Sequence, residues 1–127
     1  LLQRAITLAP SNPKIQFELA NILIGQKKFV DALPHIEIAH ALQPNNPRIL
    51  AALGYSWFNL NDTSRAIEFL EQAVQLAPTF ALAWYHLGNA QIGNGDLNAA
   101  KESFSVALQL QPTFTPAKKA LSELEGR

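Results

Sequence analysis

Proline recurs in this chain at a fixed interval: Pro10, Pro44, Pro78 and Pro112 stand 34 residues apart. In the same phase run Leu8, Leu42, Leu76 and Leu110, and with them Ala5, Ala39, Ala73 and Ala107. A second alanine column holds Ala32, Ala66 and Ala100, and a leucine column holds Leu19, Leu53, Leu87 and Leu121. The residue after each of those leucines is small: Ala20, Gly54, Gly88 and Ser122. Six columns in one phase mean that a single supersecondary unit is copied along the chain. Such a unit buries too little apolar surface alone, so its copies must stack on their neighbours into a solenoid. The 127 residues divide into a flank over 1–12, repeats over 13–46, 47–80 and 81–114, and a flank over 115–127.

Inside a repeat the apolar spacing is helical. Over 81–114 it runs Ala83, Trp84, Leu87 and Ala90, then Phe104, Ala107 and Leu108, steps that place one stripe on each of two helices. Each repeat is therefore expected to be an antiparallel helix hairpin, and the chain all-α. Asn12-Pro13, Asn46-Pro47 and Thr115-Pro116 set an amide or hydroxyl at an N-cap with Pro at the first helical position, where its missing N–H costs nothing. Gly93-Asn94-Gly95-Asp96 reads as a tight turn between helices, with Asp96 capping the second one. Pro34 cannot donate a backbone hydrogen bond, so the second helix of 13–46 is expected to begin late, with Asp31 near its N-cap and Pro34 in its first turn, instead of running from Phe29.

The ends differ. Residues 1–12 read as the second helix of a preceding repeat, with Leu2 and Ala5 on an apolar edge that the missing helix or a second copy of the chain would cover. Residues 115–127 read as a capping helix, with Ala117, Ala120, Leu121 and Leu124 turned inward and Lys118, Ser122 and Glu125 outward. The chain opens Leu1-Leu2-Gln3-Arg4, without an initiator Met or a signal pattern, and is read as a piece of a longer protein.

Composition narrows the function. Ten Lys and Arg balance ten Asp and Glu, so no long-range field draws in a polyanion, and nucleic acid and anionic membranes are poor partners. With 48% hydrophobic and 16% charged residues the chain is too apolar for disorder, yet no run of about 18 apolar residues could span a bilayer. It is expected to be soluble; its compartment is not encoded here. Cysteine is absent, which removes disulfides, thiolate metal sites and thiol nucleophiles.

These columns resemble the tetratricopeptide repeat (TPR) family, whose 34-residue unit reads W-x2-L-G-x2-Y, then A-x3-F, a further Ala and a closing Pro. Residues 81–114 carry it as Trp84, Leu87, Gly88, Ala100, Phe104, Ala107 and Pro112, and 47–80 as Leu53, Gly54, Trp57, Ala66, Leu70, Ala73 and Pro78. Departures are Gln16 for the aromatic, Ala20 for Gly, Lys27 for the turn glycine and Gln91 for the Tyr. The resemblance implies a right-handed α-solenoid whose first helices line a concave groove that binds peptide segments of other proteins, and it implies no reaction. Projected onto this chain, its inward positions give Lys14, Phe17, Glu18, Asn21 and Ile24, then Arg48, Ala51, Tyr55 and Phe58, then Leu82, Tyr85, His86, Asn89 and Ile92. Of these, Lys14, Phe17, Asn21, Arg48, Tyr55, Phe58, Tyr85, His86 and Asn89 are the candidate peptide-binding residues. Their aromatics supply area at low entropy cost and their amides suit a peptide backbone; Phe17, Phe58 and Ile92 would serve equally as padding between helices. Some relatives clamp a C-terminal carboxylate with Lys and Asn. Asn21 matches one of those positions, but Phe17 and Leu82 replace two lysines, so the clamp is expected to be absent.

No residue set points to catalysis, and no cofactor or metal is implied. His35 and His40 are five apart on one helix and His86 lies elsewhere, whereas paired ligands on a helix face stand three or four apart. Solvated or groove-lining roles suit them better. Glu68, Glu71, Glu102, Glu123 and Glu125 fall on polar helix faces. Gly93-Asn94-Gly95 lacks the strand and the Lys-Ser/Thr of a phosphate loop. The expectation is a non-catalytic protein-interaction scaffold. The alternatives are a substrate-recruiting arm of a larger enzyme, such as a glycosyltransferase, and an RNA-binding helical repeat, which zero net charge disfavours.

Overall fold

The computed structural model describes residues 12–126, which form seven α-helices and no strand. They are α1 (Pro13–Gly25), α2 (Phe29–Leu42), α3 (Pro47–Asn59), α4 (Thr63–Leu76), α5 (Ala81–Gly93), α6 (Leu97–Leu110) and α7 (Thr115–Glu125). Of the flank read over 1–12, residues 1–11, with the helix and the apolar edge of Leu2 and Ala5 expected there, lie outside the described residues. No described helix is long and apolar enough to cross a membrane.

Helix starts follow local chemistry. The Asn12 and Asn46 amide oxygens accept from the N–H groups of Lys14 and Arg48, both at 3.0 Å. Asp62 and Asp96 accept from Arg65 and Ala99 at 3.0 and 3.1 Å. These side chains satisfy backbone donors that have no partner within the helix. Thr115 is not an N-cap, contrary to the sequence reading: α7 begins at Thr115 itself, behind Phe114, with no side-chain cap. The cap column is Asn12, Asn46, Phe80 and Phe114, and the period places Thr115 one residue past it.

The late start expected for α2 is also overturned. The helix runs from Phe29, Lys28 precedes it, and Pro34 is its sixth residue. Ala32 already donates to the Lys28 carbonyl at 3.0 Å, so the first turn closes before the proline is reached. Only the Val30 carbonyl loses its intrahelical donor to Pro34. Val30 is 67% exposed and Pro34 is exposed, so water can take that carbonyl.

The hairpins close on themselves and then stack. The main contacts join α1 to α2, α3 to α4 and α5 to α6, and lesser ones join α2 to α3, α4 to α5 and α6 to α7. The apolar interior is accordingly a chain of clusters. Ala20, Ile36 and Ala39 pack with Ile49 and Leu53; Leu50, Ala66, Leu70 and Ala73 with Ala83 and Leu87; Ala100, Phe104 and Ala107 with Ala117 and Leu124. The alanines at 32, 66 and 100 and at 39, 73 and 107 are fully buried, because a larger side chain there would hold the paired helices apart. Lys27, Asn61 and Gly95 share one column and all take positive φ, at 61°, 66° and 84°. The turn imposes the left-handed conformation whether or not a glycine is available.

Where repeats depart from the family pattern, polar groups pair across a hairpin. Buried Gln16 meets His35 Nδ1 at 2.8 Å, and Ser103 Oγ donates to Gln91 Oε1 at 2.7 Å. At the C-terminal end Ala117 and Leu124 are buried, while Lys118, Ser122 and Glu125 are exposed.

Candidate peptide-binding groove

One face of the stack is tighter than the other. Besides its own partner, α3 touches both α1 and α5, whereas α2, α4 and α6 make no comparable contacts with one another. The first helices therefore sit on the inside of the curve. That inner face is nearly uncharged: with His86 neutral, α3 and α5 carry one formal charge between them, Arg48.

Two hollows open there. The first, about 260 Å³, is walled by Phe17, Asn21 and Ile24 of α1, by Arg48, Ala51, Ala52 and Tyr55 of α3, and by Phe80, Leu82 and His86. The Arg48 guanidinium lies 5.9 Å from the centre of the Phe17 ring, within cation–π range. The second, about 510 Å³, opens between Tyr85, Asn89 and Ile92 of α5 and Pro116, Lys119, Ala120 and Glu123 of α7.

A ladder of rings links the two. Phe29 meets Tyr55 edge-on at 5.7 Å, Tyr55 overlaps His86 at 4.5 Å, His86 lies 5.7 Å from Tyr85, and Tyr85 lies 5.2 Å from Phe114. Burial among these rings disfavours the charged imidazole and lowers the His86 pKa from 6.5 to about 4. At neutral pH His86 is uncharged, a hydrogen-bonding ring instead of a cation.

Of the candidate residues, Phe17, Asn21, Arg48, Tyr55 and His86 converge on the first hollow and Tyr85 and Asn89 on the second. Lys14 is exposed and lines neither. Phe58 lines neither as well: its ring packs on the cluster of Leu50, Leu70 and Leu87, the padding role weighed for it from the sequence. Phe80 and Phe114 were missed, although the period could have found them, since they fill the column held by the capping residues Asn12 and Asn46. Two histidines leave the groove. His35 bonds Gln16, and His40 packs edge-on against Phe69 at 5.9 Å; both are half-buried and neither lines either hollow. The inner face thus presents apolar hollows edged by amides and one guanidinium, and among the described residues no three His, Asp or Glu side chains gather where they could hold a metal.

Comparison with known proteins agrees with this architecture. Two family models of the tetratricopeptide repeat match, over residues 17–79 and 58–124. A crystal structure of MamA superposes with a TM-score of 0.90 at 21% identity, covering 98% of this chain and 74% of that one. The first TPR domain of Spaghetti (RPAP3), bound to the HSP90 peptide SRMEEVD, reaches 0.86 at 22% identity and covers 90% of each chain. The second TPR domain of human RPAP3, in complex with the HSP70 peptide SGPTIEEVD, reaches 0.81 at 23% identity, covering 90% of this chain and 98% of that one. None of the curated proteins matches. At these identities the structural likeness speaks for the fold.

Proposed function

The chain belongs to the tetratricopeptide repeat family, and from that premise we propose that it is a non-catalytic scaffold that binds a peptide segment of a partner protein on the inner face of its first helices. The observation that carries this reading is the convergence of Phe17, Asn21, Arg48, Tyr55 and His86 on one open hollow. The apolar core does not require such a set there: α1, α3 and α5 already bury Leu19, Leu53 and Leu87. Aromatic rings with two side-chain torsions provide contact area at low entropy cost, and the Asn21 and Asn89 amides can both donate to and accept from a peptide backbone.

Two of the similar structures hold peptides ending in EEVD. In this chain Phe17 and Leu82 stand where the family resemblance places clamp lysines, so a carboxylate clamp of that kind is not part of the proposal.

The test starts from a peptide selected on the chain from a display library. Its affinity is measured for the parent and for a Tyr55→Ala/Asn89→Ala variant whose helicity is checked by circular dichroism. A loss of about tenfold or more in a folded variant supports the groove, since a central anchor is worth about 1–2 kcal/mol. Unchanged affinity, or amide shifts confined to α2, α4 and α6, refutes it.

A further inference from the structure

The hollow between α1, α3 and α5 has a composition that selects among peptides. Most of its wall is apolar: the Phe17 and Phe80 rings, Ile24, Ala51, Ala52 and Leu82. Leu82 is 45% exposed, an aliphatic surface held open to whatever enters. One cation edges this wall. Arg48 is exposed, lies over the Phe17 ring and makes no ion pair among the described residues. On the flanking stretch of α1, Lys14 and Glu18 are both exposed and offset each other. The hollow therefore offers space for one large apolar group and a single uncompensated positive charge, already oriented by an aromatic plane.

We propose that this hollow takes one bulky apolar side chain from an internal stretch of the partner segment, while Arg48 takes one carboxylate two residues away. The spacing follows from extended backbone, in which residues i and i+2 face the same side. A guanidinium binds a carboxylate through charge-assisted hydrogen bonds, and burying the neighbouring apolar group removes water from that contact. With one cation available, one carboxylate is matched, and a second on the other side of the apolar residue stays in solvent, beyond the hollow. Neutral His86 adds no charge and offers one hydrogen-bond donor and one acceptor. A free C-terminus is accordingly not needed. This inference rests on the groove reading above and names the chemistry of its ligand.

The probe is the blocked peptide acetyl-Gly-Asp-Gly-Leu-Gly-Asp-Gly-amide, symmetric so that a carboxylate lies two residues from leucine whichever way the backbone runs. Binding is followed by amide chemical shifts of the isotopically labelled chain. The expected result is saturable shifts at Ala51, Tyr55, Leu82 and His86, a loss of about tenfold when leucine becomes alanine, and about threefold or more when both aspartates become asparagine. In an Arg48→Gln variant, whose substitution is at an exposed position, the aspartate and asparagine probes should bind alike. A Leu82→Ala variant should weaken the leucine probe and leave the alanine probe unaffected. Equal binding of the leucine and alanine probes overturns the proposal, and so does an aspartate preference that survives Arg48→Gln. If the display-selected peptide shifts the α1, α3 and α5 resonances while the probe shifts none at about 5 mM, the ligand chemistry is wrong and the groove reading stands. If the selected peptide instead shifts α2, α4 and α6, both fail.

Discussion

Replacing Gly54 with alanine tests the packing that sets how closely the two helices of a hairpin approach. A Cβ at Gly54 would collide with Leu70 Cγ and come within 3.0 Å of Leu70 Cδ2 and 3.1 Å of the Ala66 carbonyl. Leu70 is fully buried, so it cannot swing aside into solvent. Overpacking of this kind costs about 1–3 kcal/mol, and a clash at Cγ, near the root of the side chain, belongs at the upper end. Alanine is better than glycine in a helix by about 1 kcal/mol, which offsets part of the loss. The net expectation is a destabilisation of about 2 kcal/mol, or a fall in Tm of about 6–10 °C for a chain of this length. The first repeat supplies the rescue, because there the same two columns hold Ala20 and Ile36, both fully buried. Leu70→Ile moves side-chain bulk from Cγ to Cβ and should cost under about 1.5 kcal/mol alone. Combined with Gly54→Ala it should recover stability, with an interaction energy of about 2 kcal/mol. Urea unfolding of the parent, the two single variants and the double variant, followed by circular dichroism and tryptophan fluorescence, measures this cycle. If Gly54→Ala equals or exceeds the parent, or the two substitutions simply add, the close-approach argument is wrong.

Three other perturbations have definite signs. Pro34→Ala restores the donor to the Val30 carbonyl at an exposed position and should raise stability by about 1–3 kcal/mol, read from the same urea unfolding. Lys27→Gly relieves a left-handed backbone at φ 61° and should stabilise by about 1 kcal/mol, whereas Gly95→Ala, at φ 84°, should destabilise by a similar amount. His86 has its folded-state pKa lowered below the unfolded value, so its contribution is fully present above about pH 6.5 and is lost as pH falls toward about 4, while the unfolded chain takes up the proton first. Between pH 7 and 4 the parent should lose about 2–3 kcal/mol more than a His86→Phe variant that keeps the ring; equal losses would show that burial does not hold this imidazole neutral.

Much of the fold was legible because it is written in short-range spacing. The proline and alanine columns mark hairpin ends and helix contacts, and the alanines at 32, 66, 100, 39, 73 and 107 are all fully buried. The first-helix residues Tyr55 and His86 line the hollow between α1, α3 and α5. Phe58 packs on the core and does not line a hollow, while Phe80 both touches that core and lines the first hollow, and the reason is geometric. Phe58 stands near the end of α3, where its ring meets the following hairpin, while Phe80 precedes α5 and reaches back to the hollow. Neither outcome can be read from one helix taken alone.

Local spacing is enough for the unit and its repetition: a 34-residue phase, helix starts at Asn12 and Asn46, and the columns that become the core. Those features depend on contacts between residues a few positions apart or within one hairpin, so the local pattern is enough to specify them. Tertiary structure alone decided that Pro34 could sit inside α2, that Lys27 had to take positive φ, and which rings became a groove. Pro34 is accommodated because the turn before it is already closed by the Lys28 carbonyl. Lys27 is driven left-handed because α1 and α2 must pack antiparallel across a short turn. The hollow exists because α3 touches α1 and α5 while the outer helices spread apart, an offset between whole hairpins that is set by side-chain volumes at every inter-repeat contact at once.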